Sequence, residues 1–167
     1  DPVLKRLSGK YCQYIWFRNE REAWVAAKGA AFCINLGERS WKLFNSENGL
    51  KDFDVLCVTG DTAGNIYVGT SAGLNIIKDD KIISFYDRTN GLRSNRCDGL
   101  LPDNEGKIWN GNNNSLICYD PVIKEFIPYD ESAGLSDAGF RQIAFLKTVN
   151  EEIFWGGDKG INYFYPD

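Results

Sequence analysis

Short apolar runs recur along the chain, each broken by a cluster of turn-forming residues. Val55-Leu56-Cys57-Val58-Thr59 has the form of a buried strand. Asp61-Thr62-Ala63-Gly64 follows, where Asp can bond the turn backbone and Gly can take positive φ. Asn65 to Thr70 alternates, with Ile66 and Val68 on one face and Tyr67 on the other. Ser71-Ala72-Gly73 turns the chain again. Leu74 to Lys78 forms a third strand, and Lys81 to Tyr86 a fourth beyond Asp79-Asp80. A loop holding Asn90-Gly91-Leu92 then leads on. No sustained i, i+3, i+4 apolar spacing survives this punctuation, so no helix is predicted.

The same unit recurs. Asp61 to Leu74 is repeated as Asp103 to Leu116, and more loosely as Glu152 to Ile161. Gly69 and Gly111 are 42 residues apart, and Gly111 and Gly156 are 45 apart. The loop repeats as Asn48-Gly49-Leu50, Asn90-Gly91-Leu92 and Ala133-Gly134-Leu135. Four antiparallel strands in about 42 residues is the signature of a β-propeller blade. The first unit is degenerate, with Ala23-Trp24-Val25-Ala26-Ala27 in place of Ile66 to Thr70. The expected architecture is all-β, a β-propeller with four blades' worth of strands. Its units span about 11–53, 54–95, 96–138 and 139–167. Asp1-Pro2-Val3-Leu4-Lys5 matches Asp120-Pro121-Val122-Ile123-Lys124, so residues 1–7 are expected to begin a strand d. The chain stops after a strand c at Phe164-Tyr165-Pro166. The ends therefore either close a four-bladed ring or belong to a fragment of a larger propeller, the preferred reading. An open arc is expected to meet further blades or a second copy of itself.

Composition narrows the function. The chain has 167 residues, 43% hydrophobic and 14% aromatic, with 17 glycines, which suits short strands and tight turns. A net charge of −4 argues against nucleic acid or an anionic membrane as partner. No apolar run approaches the roughly 18 residues of a membrane span. The first residue is Asp1, which is read as an excised fragment or a processed domain. There is no His, so neither a phosphoacceptor histidine nor a Ser-His-Asp or Cys-His site can be built here. No phosphate-binding glycine loop opens a helix, and Asp103-Asn104-Glu105-Gly106 lacks the alternation of a calcium loop. No catalytic residue, metal or cofactor is assigned.

The 5 cysteines contain no CxxC. Cys33 and Cys118 align with Ile76, and Cys12 and Cys97 with Val55, so these four are expected as small buried hydrophobes. Trp24 and Trp109 occupy the repeating aromatic position and are expected between blades. Trp155 replaces Val68 and Asn110, so the repeat does not demand it. Arg96 aligns with Asp54 at a strand start, and Arg141 lies in the corresponding region. Strand starts and loops on a propeller face are where ligands meet a rigid scaffold. Arg96, Arg141 and Trp155 are therefore the candidate ligand contacts.

The repeats resemble those of the two-component regulator propeller family. Asp61 to Leu74 and Asp103 to Leu116 match its D-x-x-G-x-I-W-x-G-T-x-x-G-L pattern, and Asn90-Gly91-Leu92-Arg93-Ser94-Asn95 matches its loop. Asn112 and Ser115 depart from it, and the last unit has Val149-Asn150-Glu151 in place of the Asp turn. The resemblance implies a periplasmic sensor propeller of an inner-membrane hybrid histidine kinase, with the kinase domain elsewhere in a parent chain and an oligosaccharide as a possible ligand. The matched residues build blades, so they identify a scaffold rather than a site. Two other functions stay open: a non-catalytic protein-interaction scaffold, and a glycan-processing enzyme, suggested by a likeness of Thr59 to Tyr67 to the Asp-box hairpin.

Overall fold

A computed structural model describes residues 8–112, 115–135 and 139–166. The expected N-terminal strand, residues 1–7, lies outside the described residues. Fifteen strands run in chain order: Cys12–Asn19 (β1), Glu22–Ala27 (β2), Ala30–Asn35 (β3), Ser40–Phe44 (β4), Val55–Gly60 (β5), Ile66–Thr70 (β6), Leu74–Lys78 (β7), Lys81–Tyr86 (β8), Gly99–Pro102 (β9), Ile108–Asn112 (β10), Ser115–Asp120 (β11), Glu125–Tyr129 (β12), Phe140–Lys147 (β13), Ile153–Gly157 (β14) and Gly160–Phe164 (β15). They form four antiparallel meanders, β1-β2-β3-β4, β5-β6-β7-β8, β9-β10-β11-β12 and β13-β14-β15. These are four blades of a β-propeller. The only helical elements among the described residues are two single 3₁₀ turns, Ser46–Asn48 and Glu131–Ala133.

The hairpins explain the repeated motif. Asp61 Oδ1 accepts the Asn65 backbone N–H at 2.9 Å, and its Oδ2 accepts the Tyr67 hydroxyl at 2.8 Å. Asp103 does the same for Lys107 N and Trp109 Nε1, both at 2.9 Å. In the first blade Glu22 takes the Trp24 indole N–H at 2.8 Å. The last blade has Phe154, which offers no donor, and Thr148 stands where the Asp would be. Its turn keeps the same backbone bond, Thr148 N to Glu152 O at 2.9 Å, and Glu151 takes the positive φ of Gly64 and Gly106.

The blades bury their flat faces against one another. Between the first and second blades lie Trp24, Ala26, Phe44, Val58, Ile66 and Val68. Cys57, Tyr67, Ile76, Leu100, Ile108 and Tyr119 fill the second gap. Trp109, Leu116, Cys118, Phe140, Ile153 and Trp155 fill the third. Trp24 and Trp109 thus take the inter-blade places expected of them. The glycine that repeats at Gly69 and Gly111 has a steric cause. A Cβ there would sit 2.5 Å from Cys57 Sγ and 2.8 Å from Cys97 Cβ. All five cysteines are free. Cys57, Cys97 and Cys118 are buried and Cys33 is half-buried, but Cys12 is exposed. The expectation for Cys12 fails because its strand opens the array, and no preceding blade covers it among the described residues.

Candidate functional site

The first strands of successive blades, β1, β5, β9 and β13, lie against one another in turn and surround the propeller axis. Across that axis the first and last blades touch. Tyr14 and Phe145 have ring centroids 5.7 Å apart, and Gln142 Nε2 donates to Gln13 Oε1 at 3.0 Å. Gln13 also donates to Asp54 Oδ1 at 3.3 Å, and Ser71 Oγ donates to Asp54 Oδ2 at 2.9 Å. One glutamine therefore links three blades at the end where each first strand begins.

Arg96 sits at the same end, ahead of β9. Its Nε donates to Asp98 Oδ1 at 2.6 Å, and its backbone carbonyl accepts from Asn112 Nδ2 at 3.1 Å. Asn112 also accepts the Ser115 hydroxyl at 3.3 Å. The two departures from the family pattern are thus one feature, a side-chain pair that holds the strand start carrying Arg96. Asp98 is buried, and desolvation pushes its carboxyl above the usual range while Arg96 pulls it back. Arg141 lies on β13 and forms an exposed ion pair with Asp158. The two arginines occupy equivalent positions of adjacent blades, each turned to a carboxylate of its own blade.

Trp155 belongs to a different environment. It is 0% exposed, tilted against Phe145 with ring centroids 5.0 Å apart, and its indole fills the space left by the missing side chains of Gly111 and Gly99. Its Nε1 has no hydrogen-bond partner among the described residues. This places Trp155 in the packing between the third and fourth blades, where it fills a glycine-lined gap.

The opposite end of the axis holds a polar mouth of about 650 Å³. The hairpin turns between the first and second strands of all four blades contribute to it: Trp16, Arg18 and Asn19 from the first, Asp61 and Thr62 from the second, Asp103 and Asn104 from the third, and Lys147 from the fourth. Asp61 and Asp103 spend their oxygens on their own turns. Arg18 donates to Glu22 at 3.3 Å, and Lys147 Nζ donates to Asn104 Oδ1 at 2.8 Å. Two cations from the first and last blades thus share one cavity with amides and a hydroxyl. Sequence reasoning missed Arg18 and Lys147. The signal was there, because Arg18 stands where Asp61 and Asp103 stand, and Lys147 where Gly60 and Pro102 stand. Among the described residues no cluster of His, Cys, Asp or Glu could hold a metal, and no helix is long and apolar enough to cross a membrane.

No family model matches the chain. In sequence it is 30% identical over 97 residues to histidine kinase P4 of Formosa agariphila, a match covering 58% of this chain and 7% of that protein. In structure it is similar to the extracellular domains of two hybrid two-component systems of B. thetaiotaomicron. For BT4673 the TM-score is 0.78 at 18% identity, over 93% of this chain and 23% of that one. For BT3049 it is 0.72 at 17% identity, over 95% and 28%. Virginiamycin B lyase from Staphylococcus aureus, an enzyme, aligns with a TM-score of 0.63 at 17% identity, over 93% and 56%. The chain thus spans less than a third of the histidine kinase and of both extracellular domains. It is a run of propeller blades with the fold of the extracellular domains of hybrid two-component systems, and its sequence match to a histidine kinase carries the same resemblance.

Proposed function

We propose that the chain is an extracytoplasmic ligand-sensing module of a two-component receptor, without catalytic activity of its own. One observation carries the reading: side chains from all four blades line a single polar cavity on the axis, in a fold shared with receptor ectodomains. Arg18 and Lys147 reach it from the first and last blades, so a ligand held by both bridges the two ends of the array. Such a ligand favours one relative setting of the blades, and that difference is what a kinase elsewhere in the parent protein would read. The ligand class that fits is hydroxyl-rich, an oligosaccharide or a relative of one. It meets two cationic donors, the Asn104 amide and the Thr62 hydroxyl, with the Trp16 ring at the wall. Arg96 and Arg141 are proposed as contacts at the other end of the axis.

The test is a thermal-shift and calorimetry screen against oligosaccharides, since a specific ligand raises the melting temperature by mass action. Binding should weaken at least tenfold in Arg18→Ala and in Lys147→Ala. Absence of any shift with sugars, beside tight binding to a protein, would replace this reading with the interaction scaffold. Turnover of a glycan would replace it with the enzyme.

A further inference from the structure

Two strand irregularities meet across the axis. In β1, Cys12 pairs with Ala27 and Tyr14 with Ala26, so Gln13 is an extra residue with nothing opposite it. In β13, Phe140 pairs with Gly157 and Phe145 with Trp155, so residues 141–144 stand opposite Gly156 alone in β14. Bulges of this kind interrupt the ladder and re-aim side chains, and they gather at the rims of closed β structures. Here each bulge presents a glutamine to the other, with Gln142 Nε2 donating to Gln13 Oε1 at 3.0 Å.

The β13 bulge holds a backbone outlier. Ile143 has a φ of 63°, in the left-handed region. Among the described residues the other non-glycine positions with positive φ all lie in turns or loops between strands. Ile143 alone lies inside a strand, and its branched Cβ makes that region costly. Its side chain is exposed, so burial does not hold it there. The residues around it are held instead: Arg141 by Asp158, Gln142 by Gln13, and Phe145 between Tyr14 and Trp155. Strained backbone persists where its surroundings fix it in this way, and it clusters at switch regions.

We propose that Gln142 and Ile143 form a strained latch that sets how the fourth blade sits against the first. In the latched state Gln142 reaches Gln13 and Ile143 carries the strain. In the released state the hydrogen bond is broken and Ile143 returns to extended backbone. The same two strands run on to the other end of the axis, where β1 carries Trp16 and Arg18 and β13 carries Lys147. Tyr14 and Phe145 meet between the two ends. Tilting β13 about that ring contact therefore changes the separation of Arg18 and Lys147. The bond and the strain belong to the same state, so each offsets the other and the two states stay close in energy. This regulation rests on the sensing role proposed for the mouth. A ligand that bridges Arg18 and Lys147 favours the latched setting, in which both line one cavity, and the released setting is the second state it acts against.

Backbone amide relaxation dispersion on the ligand-free protein tests the latch, since it reads exchange on the μs–ms timescale. Gln13 and residues 141–144 should exchange together. Gln142→Ala removes one hydrogen bond and should raise the released population about fivefold. It should also move the Trp16 indole N–H resonance, at the far end of β1. Ile143→Asn tolerates the left-handed region, so it should lower the released population and raise the melting temperature. Ile143→Val keeps the branched Cβ and should do neither. Flat dispersion at Gln13 and residues 141–144, with an unmoved Trp16 resonance in Gln142→Ala, would overturn the latch and leave a rigid staple. Equal melting temperatures for Ile143→Asn and the unaltered protein would overturn the strain. Every readout is made without ligand, so the latch can fail while the sensing role stands, and a failed sugar screen leaves these measurements unchanged.

Discussion

Trp109 Nε1 donates to Asp103 Oδ2 at 2.9 Å, six residues back along the same hairpin. The pair ties an aromatic that fills the gap between blades to the carboxylate that shapes the turn. Asp103 is 6% exposed and also accepts the N–H groups of Glu105 and Lys107. Asp103→Ala leaves three donors without their acceptor. Hydrogen bonds to a charged group contribute about 1.5–3 kcal/mol each, and turn donors regain water, so a loss of about 2–4 kcal/mol is expected in urea unfolding. The last blade offers the converse. Thr148→Asp with Phe154→Trp should rebuild the pair, and the double variant should be more stable than the sum of the singles.

Gly111→Ala drives a methyl into the Trp155 indole. Overpacking of this kind costs about 1–3 kcal/mol. Gly156→Ala, at the equivalent place in the last blade, meets the Ala144 Cβ at 3.2 Å and should cost less. Equal losses for the two variants by thermal denaturation would contradict the gap-filling role of Trp155.

The thiols should divide sharply. Burial pushes Cys97 and Cys118 up to about 12 and Cys33 to about 11, and raises Cys57 well above its ordinary value. Thiolate is the reactive form. A chromogenic disulfide reagent at pH 8 should therefore titrate Cys12 fast in the native protein and release the other four only on unfolding. Three or more fast thiols in the native protein would show that the inter-blade gaps open.

Asp98 sets a pH dependence. Desolvation raises its folded carboxyl above the unfolded value, with Arg96 acting in the opposite direction. The folded state therefore holds the proton more tightly than the unfolded state. Stability from this group is greatest at low pH, falls as pH rises from the unfolded through the folded value, and is flat above it. Melting temperature against pH should show that fall relative to Asp98→Asn, which removes it. Arg96→Ala should deepen the fall, because it takes away the charge that lowers Asp98.

What could be read in advance follows from distance along the chain. The hairpin motif, the Asn-Gly-Leu loop and the placement of Trp24 and Trp109 were legible because their causes lie within one unit. In that loop the Asn90 side chain accepts from Asp87 N at 2.6 Å and donates to Phe85 O at 2.9 Å, while Leu92 is buried. Cys12 was misread because alignment with Val55 says which face a side chain takes, not whether a neighbouring blade covers it. The place of Trp155 was hidden for the same reason. Its departure from the repeat is visible, but the two glycines that receive it lie on β9 and β10 of the neighbouring blade.

The sequence by itself determined the blade: its period, its strand order and the Asp, Gly and aromatic chemistry of its turns. Those interactions join residues a few positions apart, so they repeat wherever the motif repeats. Only the tertiary structure decided which faces are buried, that Gln13 joins three blades, and that Arg18 and Lys147 share one mouth. These depend on stacking between residues from about 40 to 129 positions apart, and side chains that diverge from the repeat meet there only once the blades are set around a common axis.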